Sequence, residues 1–275
     1  MDVPRQNPSS PSSKTPPILE VINVTKRFGG VTAVKSADLE LQQGKVTSLI
    51  GPNGAGKTTL FNAVTGAIPA SEGRIVFSSA RGQKDIQSLR PDQITRLGIA
   101  RTFQNIRLFS NLTVLDNVKI GFHPRTKARL AGAIFRPPHT CREELSIECA
   151  AVQALEFCGL AGLEDEEADN LPYGHQRRLE IARALATGPQ LLLLDEPAAG
   201  MNPSESRELL NLIRQILARG ITIFLIEHDM RVVMNISDQI YVLDHGDVIA
   251  HGVPSEIQNN PRVIEAYLGR EAVHK

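Results

Sequence analysis

Tryptophan is absent from the 275 residues and aromatics supply only 4% of them, so the 41% that are hydrophobic must build a largely aliphatic core. That length suits one large domain or two small ones. Net charge is lacking too, because 30 Lys and Arg balance 30 Asp and Glu. No global field draws such a chain to DNA, RNA or an anionic lipid surface, and a nucleic-acid partner gains no support. Cysteines number only 3. Cys141, Cys149 and Cys158 are odd in number and lack C-x-x-C spacing, which argues against a disulfide framework or a zinc site and predicts reduced core cysteines. No apolar run approaches the ~20 residues that span a bilayer, and none follows the first residues as a secretion signal would. A cytosolic protein is expected.

Glycine is concentrated where it can do chemistry. Gly51-Pro52-Asn53-Gly54-Ala55-Gly56-Lys57-Thr58-Thr59 fits G-x-x-x-x-G-K-[ST], after a short apolar run (Val46, Leu49, Ile50) and before apolar residues at helical spacing (Leu60, Phe61, Ala63, Val64). Strand, glycine loop and helix in this order form a nest of backbone N–H groups at the positive end of a helix. The motif predicts binding of a nucleoside triphosphate, with Lys57 reaching the β and γ phosphates and the Thr58 hydroxyl on Mg²⁺.

Along the chain, residues 1–17 are rich in Pro and Ser and read as a disordered tail. Strand patterns at 18–24 and 37–41 place an antiparallel sheet ahead of the loop. Phe28, just after the first strand, could stack on an adenine ring or serve ordinary packing. Residues 99–104 read as a strand ending in Gln104, and 111–121 as a helix. The segment 123–140 is basic and interrupted by prolines, an exposed connector or a docking surface. Residues from Thr140 or Arg142 to Cys158 read as an amphipathic helix with Leu145, Cys149, Val152, Leu155 and Cys158 on one stripe. Residues from about 105 to 172 thus look like a helical insert in an α/β core. Leu171-Pro172-Tyr173-Gly174-His175-Gln176 then opens a helix whose first N–H groups could face an anion.

The apolar run at 191–194 suits the buried middle of a parallel sheet and ends in Asp195-Glu196. Adjacent carboxylates at the end of a buried strand need a cation or a water to act on. Beside the phosphate loop, Asp195 is predicted to hold Mg²⁺, directly or through water, and Glu196 to orient and deprotonate the attacking water. Residues 221–226 form another buried strand, so His228 falls on the rim where a doubly wound sheet collects ligands, within reach of a γ-phosphate. The other histidines show no ligand spacing, so no further metal site is assigned.

Phe28, the 51–58 loop, Gln104, the 171–176 segment, the 191–196 strand and His228 stand in an order that resembles the ATP-binding cassette family over about residues 18–269. Within it, Arg101-Thr102-Phe103-Gln104-Asn105-Ile106-Arg107-Leu108-Phe109, the run from Glu196 to Pro203 and the ending Ala266-Tyr267-Leu268-Gly269 look like the ATPase subunits of branched-chain amino acid importers. The resemblance implies an α/β fold: a P-loop NTPase core with a mainly parallel sheet, an N-terminal antiparallel β-subdomain and a helical signature subdomain, all within one ATPase domain, 18–275. It implies ATP and Mg²⁺ as ligands, Gln104 as a sensor of γ-phosphate and Mg²⁺, and His228 as the residue that fixes the γ-phosphate and positions Glu196. Pro172, Tyr173, Gly174, His175 and Gln176 would cap the ATP bound to an opposing subunit. Partners implied are two membrane permease subunits, a second cassette and an extracytoplasmic binding protein, with this chain peripheral on the cytoplasmic side of the inner membrane. A cassette for urea, other amides or lipopolysaccharide, a soluble regulatory or repair ATPase, and a small-molecule kinase of the P-loop group are the alternatives.

Two departures from the family pattern stand out. The usual signature is Leu-Ser-Gly-Gly-Gln, whereas Pro172, Tyr173 and His175 occupy its second, third and fifth positions; the lost Ser hydroxyl corresponds to ~1.5–3 kcal/mol as a hydrogen bond to a charged group. Asn202 stands where an Asp is usual. Both favour a heterodimer with a related cassette over a homodimer.

Overall fold

The computed structural model describes residues 16–80, 82–125 and 138–268. The expected tail therefore lies outside the described residues except for Pro16 and Pro17, as does most of the basic 123–140 segment. Two sheets organise the chain. Strands β1 (Leu19–Phe28), β2 (Val31–Leu41), β4 (Glu72–Ser79) and β5 (Gly82–Asp85) form an antiparallel sheet in the order β2-β1-β4-β5. The second sheet has the order β10-β9-β3-β8-β7-β6, from β3 (Val46–Ile50), β6 (Ile99–Arg101), β7 (Leu191–Asp195), β8 (Thr222–Ile226), β9 (Gln239–Asp244) and β10 (Asp247–Gly252). Its strands are parallel except for the edge hairpin partner β10.

The alternation of side chains along a strand explains the four consecutive leucines of β7. Leu191 and Leu193 face a core shared with the antiparallel sheet and with helix α1 (Lys57–Val64), where the Phe61 and Phe224 rings lie 4.6 Å apart. Leu192 and Leu194 face a second core on the other side of the sheet, with helices α3 (Val114–Gly121), α4 (Pro138–Phe157), α5 (Tyr173–Ala186) and α6 (Pro203–Ala218). A run buried on both faces is thus apolar at every position. A smaller cluster joins Ile50 at the end of β3 to α7 (Met230–Ile236), α8 (Pro254–Gln258) and α9 (Pro261–Leu268) through Val233, Ile257 and Val263. Helix α2 (Pro91–Leu97) leads into β6.

Three expectations need correction. The strand read as 99–104 stops at Arg101. Thr102 N still donates to Leu193 O at 2.9 Å, but the backbone of Phe103 and Gln104 is taken by side chains of α5 instead. On α4 the stripe is misplaced: Ala151, Leu155 and Cys158 are buried while Leu145 is 63% exposed. At about 3.6 residues per turn, Leu145 and Cys149 lie roughly a third to nearly half a turn away from that buried face. Cys149 is accordingly exposed and no core residue, whereas burial pushes the Cys158 thiol up to about 12, against the pull of Arg219 and Arg178. The short strand β5 and helix α7 carried no periodic apolar signal; α7 is started by Asp229, whose carboxylate accepts from Arg231 N at 2.9 Å.

Candidate active site

Strands β3, β7 and β8 end side by side, so the loops that follow them share one rim of the sheet. The 51–56 loop leaves β3 with Gly51 at φ +150° and Gly56, the residue capping α1, at φ +105°. A Cβ on Gly51 would come within 1.9 Å of Leu243 O, and one on Gly56 within 2.2 Å of Ala33 O. Only glycine lets β9 and β2 approach so closely. Gly246 N donates to Ala55 O at 2.9 Å, bracing the loop from the β9–β10 turn. Pro52 is half-buried, and Asn53, Gly54 and Thr58 are exposed, with Thr59 half-buried behind them. Lys57 is only 7% exposed, and its ammonium donates to Gly51 O (2.6 Å) and Pro52 O (2.9 Å). Burial lowers its pKa, while the Glu196 and Asp195 charges oppose that shift. The loop and the carboxylates behind β7 therefore share one electrostatic environment.

Asp195 is 1% exposed and paired through Oδ2 with Arg101 at 2.7 Å. Arg101 also donates to Asn62 Oδ1 (2.6 Å) and Thr65 Oγ1 (3.3 Å) on and just after α1. Burial raises the Asp195 pKa, against the hydrogen bond and charge of Arg101. Glu196 sits at φ +46°, a left-handed conformation rare outside glycine and typical of functional turns. That turn brings its Oε2 to 3.0 Å from Gln104 Nε2 and 3.6 Å from His228 Nδ1. Glu227 at the end of β8 is fully buried and accepts from the amides of Ala198 (2.9 Å) and His228 (3.1 Å), fixing the backbone on either side of the rim. Residues from three separate segments, 104, 196 and 228, are thereby brought together.

Phe28 closes β1 with a ring 49% exposed and the Lys26 ammonium 4.9 Å from its centroid. The hairpin that carries it continues into Ala33, whose carbonyl faces Gly56. Pro172 caps α5 through its carbonyl, which accepts from His175 N (2.9 Å) and Gln176 N (3.0 Å), while Gln176 Nε2 donates to Leu171 O (2.9 Å). No hydrogen bond or ion pair joins 172–176 to 51–59 among the described residues. The segment instead meets the loop after β7 and the first turn of α6: a Cβ on Gly200 would touch the Tyr173 ring at 3.4 Å, and one on Gly174 would meet Glu205 Oε1 at 3.0 Å. Asn202 has a local explanation. It is the N-cap of α6, accepting from Ser204 N (2.8 Å) and Glu205 N (3.0 Å) in a capping box, and Asn serves there as well as Asp.

Sequence reasoning missed Arg101, Arg177 and Glu180. Arg177 is fully buried and donates to Phe103 O (2.6 Å), Gln104 O (2.8 Å), Glu180 Oε2 (2.8 Å) and Tyr173 Oη (3.2 Å). Burial raises the Glu180 pKa, against Arg177 and the Phe103 amide. A usable signal existed: Arg177 shares its helix face with Ile181 and Ala184, where a charged residue has no place unless it is bonded.

Residues 34–199 match the family model described as ABC transporter. The chain belongs to this family. Residues 248–273 match a second model, for branched-chain amino acid ATP-binding cassette transporters. The cassette is 46% identical over 254 residues to the high-affinity branched-chain amino acid transport ATP-binding protein LivG of Salmonella typhimurium strain LT2, covering 92% of this chain and 98% of that protein. BraF of Pseudomonas aeruginosa, with the same description, is 44% identical over 254 residues with the same coverage. The fold superposes on the ADP conformation of MJ1267, an ATP-binding cassette of an ABC transporter, with TM-score 0.80 and 36% identity over 93% of this chain and all of that one.

Proposed function

We propose that this cassette hydrolyses ATP to power the import of branched-chain, hydrophobic amino acids through membrane permease partners. The observation that carries the chemistry is the meeting of Gln104, Glu196 and His228 beside the Lys57 loop. The cargo rests on the similarity to LivG and BraF and on the 248–273 segment. The 51–56 amides and Lys57 hold the phosphates, and Phe28 offers a face to the adenine. Glu196 accepts the proton of the water that attacks the γ-phosphorus, as the bond to the ADP oxygen breaks. Gln104 orients the carboxylate and His228 steadies it against the γ-phosphate. Thr58, Asp195 and Gln104 would hold Mg²⁺ through hydroxyl, carboxylate and amide oxygens, the hard donors that suit it, with one Asp195 oxygen paired to Arg101. When bound, Mg²⁺ neutralises phosphate charge.

The 172–176 segment caps the ATP of a second cassette, so closure of the pair depends on nucleotide and its loss on hydrolysis. Two permease subunits, a related cassette and an extracytoplasmic binding protein complete the assembly, and this chain attaches to the cytoplasmic side of the membrane. No helix among the described residues is long and apolar enough to cross a membrane. The test is purification of the Glu196→Gln form from native membranes with ATP and Mg²⁺. Two multi-span permeases and a second cassette are expected to co-purify. Exporter-type permeases would move the cargo elsewhere, and the absence of any membrane partner would overturn the transport assignment.

A further inference from the structure

The contacts of Arg177 close a circuit through the site. Glu196 is held by the Gln104 side chain, the Gln104 and Phe103 carbonyls by Arg177, Arg177 by the Tyr173 hydroxyl, and the Tyr173 ring lies on Gly200, four residues beyond Glu196. Glu180 adds a further strut, accepting from Phe103 N at 3.2 Å while it pairs with Arg177. Two side chains of α5 thus satisfy three backbone polar groups of the segment that leaves β6, Phe103 N, Phe103 O and Gln104 O.

Stability alone is a poor reason for this arrangement. A fully buried ion pair contributes little net folding energy compared with apolar residues of the same volume, and Arg177 Nε is left without a hydrogen-bond partner among the described residues. What a guanidinium supplies is a rigid planar fork that fixes several acceptors at once, which lysine cannot do. We propose that Arg177 is a positioning residue: it locks the Gln104 backbone to the first turn of α5, so that a displacement of Gln104 is delivered to Tyr173 and Gly174. Resting on the nucleotide reading above, this makes Arg177 the link between the site that Gln104 serves in this chain and the segment offered to a second cassette. A change at the γ-phosphate that shifts the Gln104 backbone therefore shifts the start of α5 with it.

Amide hydrogen exchange of the full-length chain, with and without ATP and Mg²⁺ in a Glu196→Gln background, tests the link. In the parent, ATP is expected to slow exchange both at residues 101–107 and at 171–180. The balanced double variant Arg177→Met/Glu180→Met removes the struts without stranding a buried charge. It should bind ATP within about two-fold of the parent and keep the response at 101–107, but lose that at 171–180. Arg177→Lys keeps a partner for Glu180 if the double variant fails to fold, and its single ammonium should lose the same response. Persistence of the 171–180 response in a folded, ATP-binding variant overturns the proposal. A parent that binds no ATP overturns instead the nucleotide reading on which it rests.

Discussion

Arg101 and Asp195 form an ion pair at 2.7 Å, with side chains 10% and 2% exposed, and Arg101 ties that pair to Asn62 on, and Thr65 just after, the helix that follows the phosphate loop. Removing one member of such a pair strands a buried charge, whereas removing both does not. Arg101→Met is expected to cost about 3–5 kcal/mol in chemical denaturation. Arg101→Met/Asp195→Leu should recover most of that loss while abolishing hydrolysis. Equal destabilisation by the single and double variants would show that the pair is not the stabilising unit.

The parts of this site that follow from backbone necessity were legible in the sequence. The 51–58 loop, the leucine strand with its two carboxylates and His228 at the next strand end each combine a local pattern with a fixed place on the sheet rim. What escaped notice depends on side chains reaching between segments far apart in the chain. Gln104 was read as the end of a strand, because nothing nearby announces that residues 177 and 180 will take its backbone groups. Asn202 looked like a functional departure, and its role as a helix cap appears only once α6 is seen to begin at Pro203. The stripe on α4 failed for another reason: Leu145 and Cys149 share a face with each other but not with Ala151, Leu155 and Cys158, so apolar Leu145 stays exposed.

The glycines of the phosphate loop make a graded test. Gly54 has φ +79° but open space around it, so Gly54→Ala should carry only the conformational cost of about 1–3 kcal/mol. Gly56 has φ +105° and a backbone carbonyl 2.2 Å from where a Cβ would stand. Gly56→Ala must therefore move β2 or the loop as well, and its melting temperature should fall well below that of Gly54→Ala. Similar losses at the two positions would remove the close approach of Ala33 from the explanation.

Binding and turnover should separate cleanly between Lys57 and Glu196. Lys57→Ala deletes the buried cation of the loop, a loss of about 1.5–3 kcal/mol for each bond to a charged phosphate, and equilibrium ATP binding should weaken by at least ten-fold. Glu196→Gln keeps the shape and the contact with Gln104 but cannot take a proton, so hydrolysis in a single turnover should slow by roughly 10²–10⁴-fold with affinity retained. Near-normal phosphate release by Glu196→Gln would falsify its role as base.

Glu227 gives the site a predictable pH response. Its carboxyl is fully buried, and burial raises its pKa above the ordinary 4.5, while the Ala198 and His228 amides and the His228 ring, with Nδ1 at 3.8 Å, pull it back. A carboxyl whose pKa is raised on folding binds its proton more tightly in the native state, so its contribution is complete below the unfolded value and is lost as pH rises through the folded one. Glu227→Gln cannot titrate. The stability of the wild type relative to this variant, read from denaturant midpoints, should therefore decline as pH rises from the ordinary 4.5 through the raised folded value, where the buried carboxyl is forced to ionise. A relative stability that grows across that window would mean that the amide hydrogen bonds outweigh burial and that Glu227 is held as a carboxylate. In that case the charge facing His228 would be permanent, and the histidine's hold on Glu196 would have to be reconsidered with two anions beside it.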